Sequence, residues 1–95
     1  MNLDLVSNIY IEICGVKADY SPFSFPSLWV VGQPNNPGNG TNCLAQCQAF
    51  SGCESSVYLK NKQCIMYSVP AYYILGATNP SLNILFYDRT CSIYD

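Results

Sequence analysis

Thr41-Asn42-Cys43-Leu44-Ala45-Gln46-Cys47-Gln48-Ala49-Phe50-Ser51-Gly52-Cys53, followed by Cys64-Ile65-Met66-Tyr67, is the stretch that decides the fold. Its first part reads as a short helix. Thr41 or Asn42 can cap it, Cys43 to about Phe50 forms the body, and Ser51-Gly52 ends it. Cys43, Cys47 and Phe50 fall at i, i+4 and i+7 and so share one face, with Leu44 beside them. A hairpin follows. Val57 to Lys60 and Gln63 to Tyr67 flank Asn61-Lys62, a two-residue turn, since Asn tolerates positive φ. Pairing Lys60 with Gln63 puts Val57, Leu59, Cys64 and Met66 on one face. Tyr58, Lys60, Gln63, Ile65 and Tyr67 take the other, where Tyr58, Ile65 and Tyr67 form either an interface stripe or a face packed under another segment. The first set is the core face, so Cys64 points toward the helix.

Outward from this centre the pattern is less regular. Asn8 to Cys14 alternates, with Ile9, Ile11 and Ile13 on one face, and reads as a half-buried strand. Pro22 and Pro26 break the pattern, and Leu28 to Val31 reads as a short second strand. Gly32 to Gly40 is the longest loop. On the C-terminal side, residues 71–81 read as an irregular apolar loop with turns at Gly76 and Asn79-Pro80. Asn83 to Cys91 is a last strand. Ile84-Leu85-Phe86-Tyr87 is apolar on both faces, which places that strand inside a sheet.

Ninety-five residues make one domain, 1–95, with 1–7 and 92–95 as terminal extensions. The chain has no histidine, which removes Ser-His-Asp and Cys-His catalysis and histidine-ligated zinc. Lys17, Lys60, Lys62 and Arg89 are its four basic residues, and the net charge is −2, so no nucleic-acid footprint exists. No apolar run approaches the ~18–20 residues of a membrane span, and membrane insertion is not expected. The six acids, Asp4, Glu12, Asp19, Glu54, Asp88 and Asp95, form neither a glycosidase pair nor a calcium loop. No enzyme activity, cofactor or metal is expected.

The cysteines, at 14, 43, 47, 53, 64 and 91, set the compartment. Six cysteines allow 15 pairings. Only Cys43-x3-Cys47 resembles a zinc knuckle, no second one follows, and there is no Cys-x-x-Cys. Disulfides are the reading that remains, and with them an extracellular location. Cys47 and Cys53 flank the helix end and can form a local staple. Cys43 on the inner helix face meets Cys64 on the inner hairpin face, which leaves Cys14 and Cys91 to tie the termini. Loop entropy assigns these bridges about 2.5, 3.5 and 4.5 kcal/mol in that order. Their sum rivals the whole stability of a small domain, on the order of 5–15 kcal/mol. Met1 to Ser7 lacks the basic and apolar regions of a signal peptide, so a module of a larger protein is expected. Asn39-Gly40-Thr41 is a glycosylation sequon in a loop, whereas Asn79-Pro80-Ser81 is blocked by its proline.

The stretch quoted at the outset resembles a PAN/apple domain. It carries that family's helix, Cys-x3-Cys-x5-Cys with a glycine before the third cysteine, and then a Cys-x-x-Tyr strand. Cys14 and Cys91 match the extra terminal bridge of apple domains. The resemblance spans positions 14–91. It implies an α+β fold: about five antiparallel strands wrapped around a single helix. It also implies nested pairing, Cys14–Cys91, Cys43–Cys64 and Cys47–Cys53, in agreement with the pairing reasoned from position. The gap from Cys53 to Cys64 is short and the charge content is low for the blood-protease branch. Members of this family bind protein partners in coagulation zymogens, or sugars in parasite surface adhesins and some plant and oomycete receptors. They bring no catalytic residues.

The candidate ligand residues are aromatic. Tyr72-Tyr73-Ile74-Leu75 puts much apolar surface in a loop, which must fold onto the core or meet a partner. A sugar would stack on Tyr72, Tyr73 or Trp29, with Asp88, Arg89 or loop amides taking its hydroxyls. The expected function is an extracellular, non-catalytic adhesion module for protein or glycan. The alternative is a structural subunit that self-associates, since low charge weakens repulsion between copies.

Overall fold

The computed structural model describes residues 11–34 and 38–92. Six strands and one helix follow in order: β1 (Cys14–Tyr20), β2 (Val30–Gly32), α1 (Gly40–Gln48), β3 (Ser55–Tyr58), β4 (Cys64–Tyr67), β5 (Leu75–Thr78) and β6 (Leu85–Asp88). Single 3₁₀ turns occupy Pro26–Trp29 and Ala71–Tyr73. The strands form one antiparallel sheet in the order β2-β4-β3-β6-β1-β5. Bridges join Cys14 to Cys91, Cys43 to Cys64 and Cys47 to Cys53, with Cα atoms 5.7, 5.5 and 5.3 Å apart, as expected from their positions.

The sheet has six strands where five were expected. The additional one is β5, within the segment read as irregular loop. Its pairing with β1 brings two backbones together at Gly76. A Cβ there would lie 2.7 Å from the Tyr20 carbonyl oxygen, so the strand can close on β1 only because this residue is glycine. The first strand also begins later than the alternation suggested. Residues 8–10 lie outside the described residues, and 11–13 precede the pairing, which starts at Cys14. Gly15, at φ 69°, sits at the register shift between Cys14 and Val16, a bulge that turns the chain into the ladder. Ala18 is then fully buried between β5 and β6.

The hairpin is displaced by one residue from the register read in the sequence. Tyr58 pairs with Cys64 and Val57 with Ile65. The loop holds three residues, closed by Leu59 N–H to Gln63 C=O at 2.9 Å, with Lys62 at φ 66° as its left-handed member. Cys64 and Met66 do face the helix, but their companions are Ser56 and Tyr58. Val57 moves to the opposite face with Ile65 and Tyr67, because a slip of one residue exchanges the faces of one strand against its partner.

Each face therefore has its own core. On one, Cys43, Leu44 and Cys47 of α1 are buried, and the Cys47–Cys53 bridge packs with Met66 and Val31. On the other, Val57, Tyr67, Phe86, Ala71 and Ile74 pack together with Ala18 and Ile13. Asn39 caps α1, its Oδ1 accepting the Asn42 N–H at 2.9 Å, so the cap lies just ahead of the expected Thr41 or Asn42. The helix stops at Gln48, and Phe50, expected on its buried face, lies beyond its end and is exposed. The Arg89 guanidinium holds that end: it donates to the carbonyls of Gln48, Phe50 and Cys53 at 3.0, 2.7 and 2.7 Å.

Candidate functional site

Residues 21–29 leave β1 and return to the sheet at β2, and their sequence keeps them out of it. Pro22 and Pro26 each lack an N–H, so the segment Ser21-Pro22-Phe23-Ser24-Phe25-Pro26-Ser27-Leu28-Trp29 cannot extend a ladder. It folds as two turns instead. Ser21 closes the first, its hydroxyl accepting the Phe23 N–H at 3.2 Å. The 3₁₀ turn Pro26–Trp29 forms the second, with Leu28 N–H on Phe25 C=O at 3.0 Å. Both ends are pinned to the chain that follows β4. Ser21 N–H donates to Ile74 C=O and Ser68 N–H donates to Trp29 C=O, each at 2.8 Å.

That second segment is anchored by alternation of another period. In the 3₁₀ turn Ala71–Tyr73 three residues make one turn, so Ala71 and Ile74 fall together and are buried. Tyr72 and Tyr73 are left pointing outward, 54 % and 48 % exposed. Trp29 packs edge-on against Tyr73 (centroids 6.3 Å apart), and Tyr73 against Tyr72 (4.7 Å), giving three rings in a row. The contact with Tyr73 raises the Tyr72 phenol above its ordinary pKa. The structure thus brings together Trp29, Tyr72 and Tyr73 from the sequence-derived set.

Asp88 and Arg89 are turned to other tasks, Asp88 beneath the same 3₁₀ turn and Arg89 at the helix end. Asp88 is fully buried, and its carboxylate accepts the N–H of Ile13 at Oδ2 and of Ala71 at Oδ1, both at 2.8 Å. Arg89 is committed to the helix end described above. Both are occupied with internal backbone groups. Tyr58, Ile65 and Tyr67, read as one outer stripe, are divided between the two faces by the register.

Three residues that sequence reasoning passed over, all on the segment that ends in Trp29, are among the most exposed large apolar groups of the described residues: Phe23 at 92 %, Leu28 at 76 % and Phe25 at 71 %. The signal that could have found them is the bracketing pair of prolines, which forbids the sheet and leaves Phe23 and Phe25 with nowhere to be buried. Below the segment runs an open groove of about 540 Å³, lined by Tyr20, Pro22, Pro26, Leu59, Ile65 and Tyr67 among others. The Tyr20 and Tyr67 hydroxyls share one hydrogen bond at 2.8 Å there. Burial first, then the bond to Tyr67, pushes the Tyr20 phenol far above its ordinary value, and burial raises Tyr67 as well. Both stay neutral.

The charge pattern agrees with this. No Asp, Glu, Lys or Arg occurs between Asp19 and Glu54, or between Lys62 and Asp88. The groove is lined by no charged side chain, and the Tyr20 and Tyr67 phenols are part of its lining. Glu12 lies beside Cys14 and Cys91, but those sulfurs are joined to each other and offer no thiolate to a metal. Among the described residues, no helix is long and apolar enough to cross a membrane. Comparison with known proteins returned no match: no family model, no curated protein and no solved structure aligns with the chain.

Proposed function

We propose that this chain is a non-catalytic, extracellular binding module of the PAN/apple kind, and that it engages a protein through the surface of Phe23, Phe25, Leu28, Trp29, Tyr72 and Tyr73. The observation that carries the reading is the exposure of Phe23, Phe25 and Leu28 on a segment pinned at both ends. Together these three side chains leave on the order of 400 Å² of apolar surface in water on one short segment. Pinning lowers the ordering cost of binding, since the segment does not have to be fixed by its partner.

A protein fits this surface better than a sugar. Sugar recognition asks for charged or amide groups beside the stacking ring to take the hydroxyls, and Asp88 and Arg89 are spent on backbone partners. What remains is aromatic and aliphatic apart from the hydroxyls of Ser21, Ser24 and Ser27, of which Ser21 and Ser24 already bond backbone groups of the same segment. That is close to the composition of an interface centre. The six cysteines in three bridges support an oxidising compartment, and the absence of histidine from the sequence supports a non-catalytic role. Self-assembly is the second reading. It draws on β5, an edge strand of Leu-Gly-Ala-Thr with no charge or proline to block pairing.

The test is a tetramerised, oxidised domain screened in parallel on arrays of glycans and of secreted and cell-surface proteins, with F23S/F25S/L28S as control. Binding to protein that the triple variant loses, with a blank glycan array, is the expected result. Glycan binding that survives the triple substitution refutes the assignment. Sedimentation that shifts with concentration moves the weight to self-assembly.

A further inference from the structure

The sequon Asn39-Gly40-Thr41 stands at the N-terminus of α1, where Asn39 already has a structural task. Its Oδ1 accepts two hydrogen bonds, from the Asn42 N–H at 2.9 Å and from the Thr41 hydroxyl at 2.7 Å. Capping therefore uses only the oxygen of the carboxamide. Asn39 and Thr41 are both exposed, and Gly40 between them is buried against the Tyr87 hydroxyl. The other triplet, Asn79-Pro80-Ser81, holds a turn of its own, Asn79 Oδ1 accepting the Ser81 N–H at 2.9 Å, and its proline bars it from modification.

We infer that Asn39 is an N-glycosylation site whose side chain serves two purposes at once, Oδ1 capping the helix while Nδ2 carries the sugar. In the reaction Nδ2 attacks C1 of an oligosaccharide held on a polyprenyl diphosphate. The N–C1 bond forms, the C1–O bond to phosphate breaks, the lipid diphosphate leaves, and Nδ2 gives up one of its two protons. The product is a secondary amide with its oxygen unchanged, so the bond to the Asn42 N–H survives modification.

The position also fits a binding module. Asn39 opens the helix that covers the face of Cys64 and Met66, whereas Tyr72 and Tyr73 flank Ala71 and Ile74, which belong to the core on the opposite face. A glycan at Asn39 shields the helix side and leaves the aromatic surface open. The inference rests on the extracellular reading above but not on the identity of the partner.

The experiment is expression of the full chain behind a secretion leader in a eukaryotic host, with the mass of the disulfide-intact product measured before and after peptide-N-glycosidase. Removal of one oligosaccharide, with conversion of Asn39 to Asp, is expected. Thr41→Ala abolishes the mass shift. Asn39 still accepts the Asn42 N–H and only the exposed Thr41 hydroxyl bond is lost, so the unfolding midpoint stays close to that of the unglycosylated parent chain. Asn39→Gln abolishes the shift and lowers that midpoint as well. Translation into microsomes reads the same site for any variant that fails to be exported. Secreted, oxidised chain with an unmodified Asn39 overturns the inference. Equal midpoints for Thr41→Ala and Asn39→Gln overturn the dual role. Neither outcome touches the array result, so the two readings fail separately.

Discussion

Asp88→Asn should cost this domain about 2–4 kcal/mol of stability, although it changes one atom of a side chain that solvent never reaches. The buried carboxylate joins three parts of the chain that are remote in sequence. It accepts the Ile13 N–H ahead of β1 and the Ala71 N–H at the 3₁₀ turn, from its own place at the end of β6. The Asp88 N–H also donates to the Ile13 carbonyl at 2.6 Å. An amide keeps the shape but has one acceptor oxygen, so its NH₂ must face one of the two backbone N–H groups. A hydrogen bond to a charged acceptor contributes about 1.5–3 kcal/mol net, and a buried donor left unpaired costs about 1–3 kcal/mol. These ranges overlap in what they count, and the neutral amide regains some desolvation, which brings the sum to the figure above. The assay is denaturant unfolding with disulfides intact, followed by Trp29 fluorescence, where the midpoint falls and the slope holds. Hydrogen exchange at the Ile13 and Ala71 amides locates the damage. A variant within about 0.5 kcal/mol of the parent, the ordinary scatter of a surface substitution, refutes the reasoning and returns Asp88 to the ligand-binding candidates.

Ser56 Oγ is buried with no hydrogen-bond partner, so Ser56→Ala should be neutral or stabilise by up to about 1 kcal/mol in the same unfolding assay. Gly76→Ala should cost about 1–3 kcal/mol, since its Cβ would meet backbone atoms of Tyr20 at 2.7 and 2.8 Å; loss of amide protection confined to β5 and β1 would confirm the place. Burial raises the phenols of Tyr20, Tyr67 and Tyr87, so the folded state holds those protons more tightly than the unfolded chain, whose tyrosines titrate near 10.0. Their contribution to stability is complete below about pH 10 and is lost as pH rises beyond it, and Tyr20→Phe should flatten that alkaline fall in unfolding midpoint.

The bridges and the helix were legible in the residues because their determinants are local. Cys43 and Cys47 share a helix face by spacing, Cys53 follows the helix end, and Cys64 stands on a strand that turns it to the same side, so position alone leaves little choice of partner. β6 was legible as interior because Leu85, Phe86 and Tyr87 leave no polar face. Asn39 was missed as the cap because Thr41 and Asn42 are equally good cappers by type. What set the choice is tertiary: Gly40 must sit under Tyr87, which no local preference encodes.

The hairpin slip shows where local reading reaches its limit. A register is read from hydrophobic alternation when one face of a sheet is buried and the other is wet. Here α1 covers one face and the turn Ala71–Tyr73 the other, so apolar residues are needed on both, and Val57 satisfies either side equally well. The loop then decides, through Lys62 at positive φ, a conformation that lysine does not advertise. The same doubling explains the candidate site. A sheet covered on both faces has already used its coverings, so when Pro22 and Pro26 keep residues 21–29 out of the ladder, Phe23, Phe25 and Leu28 have no third face to enter. Their exposure follows from the architecture, and this is why we propose a partner surface as their burial.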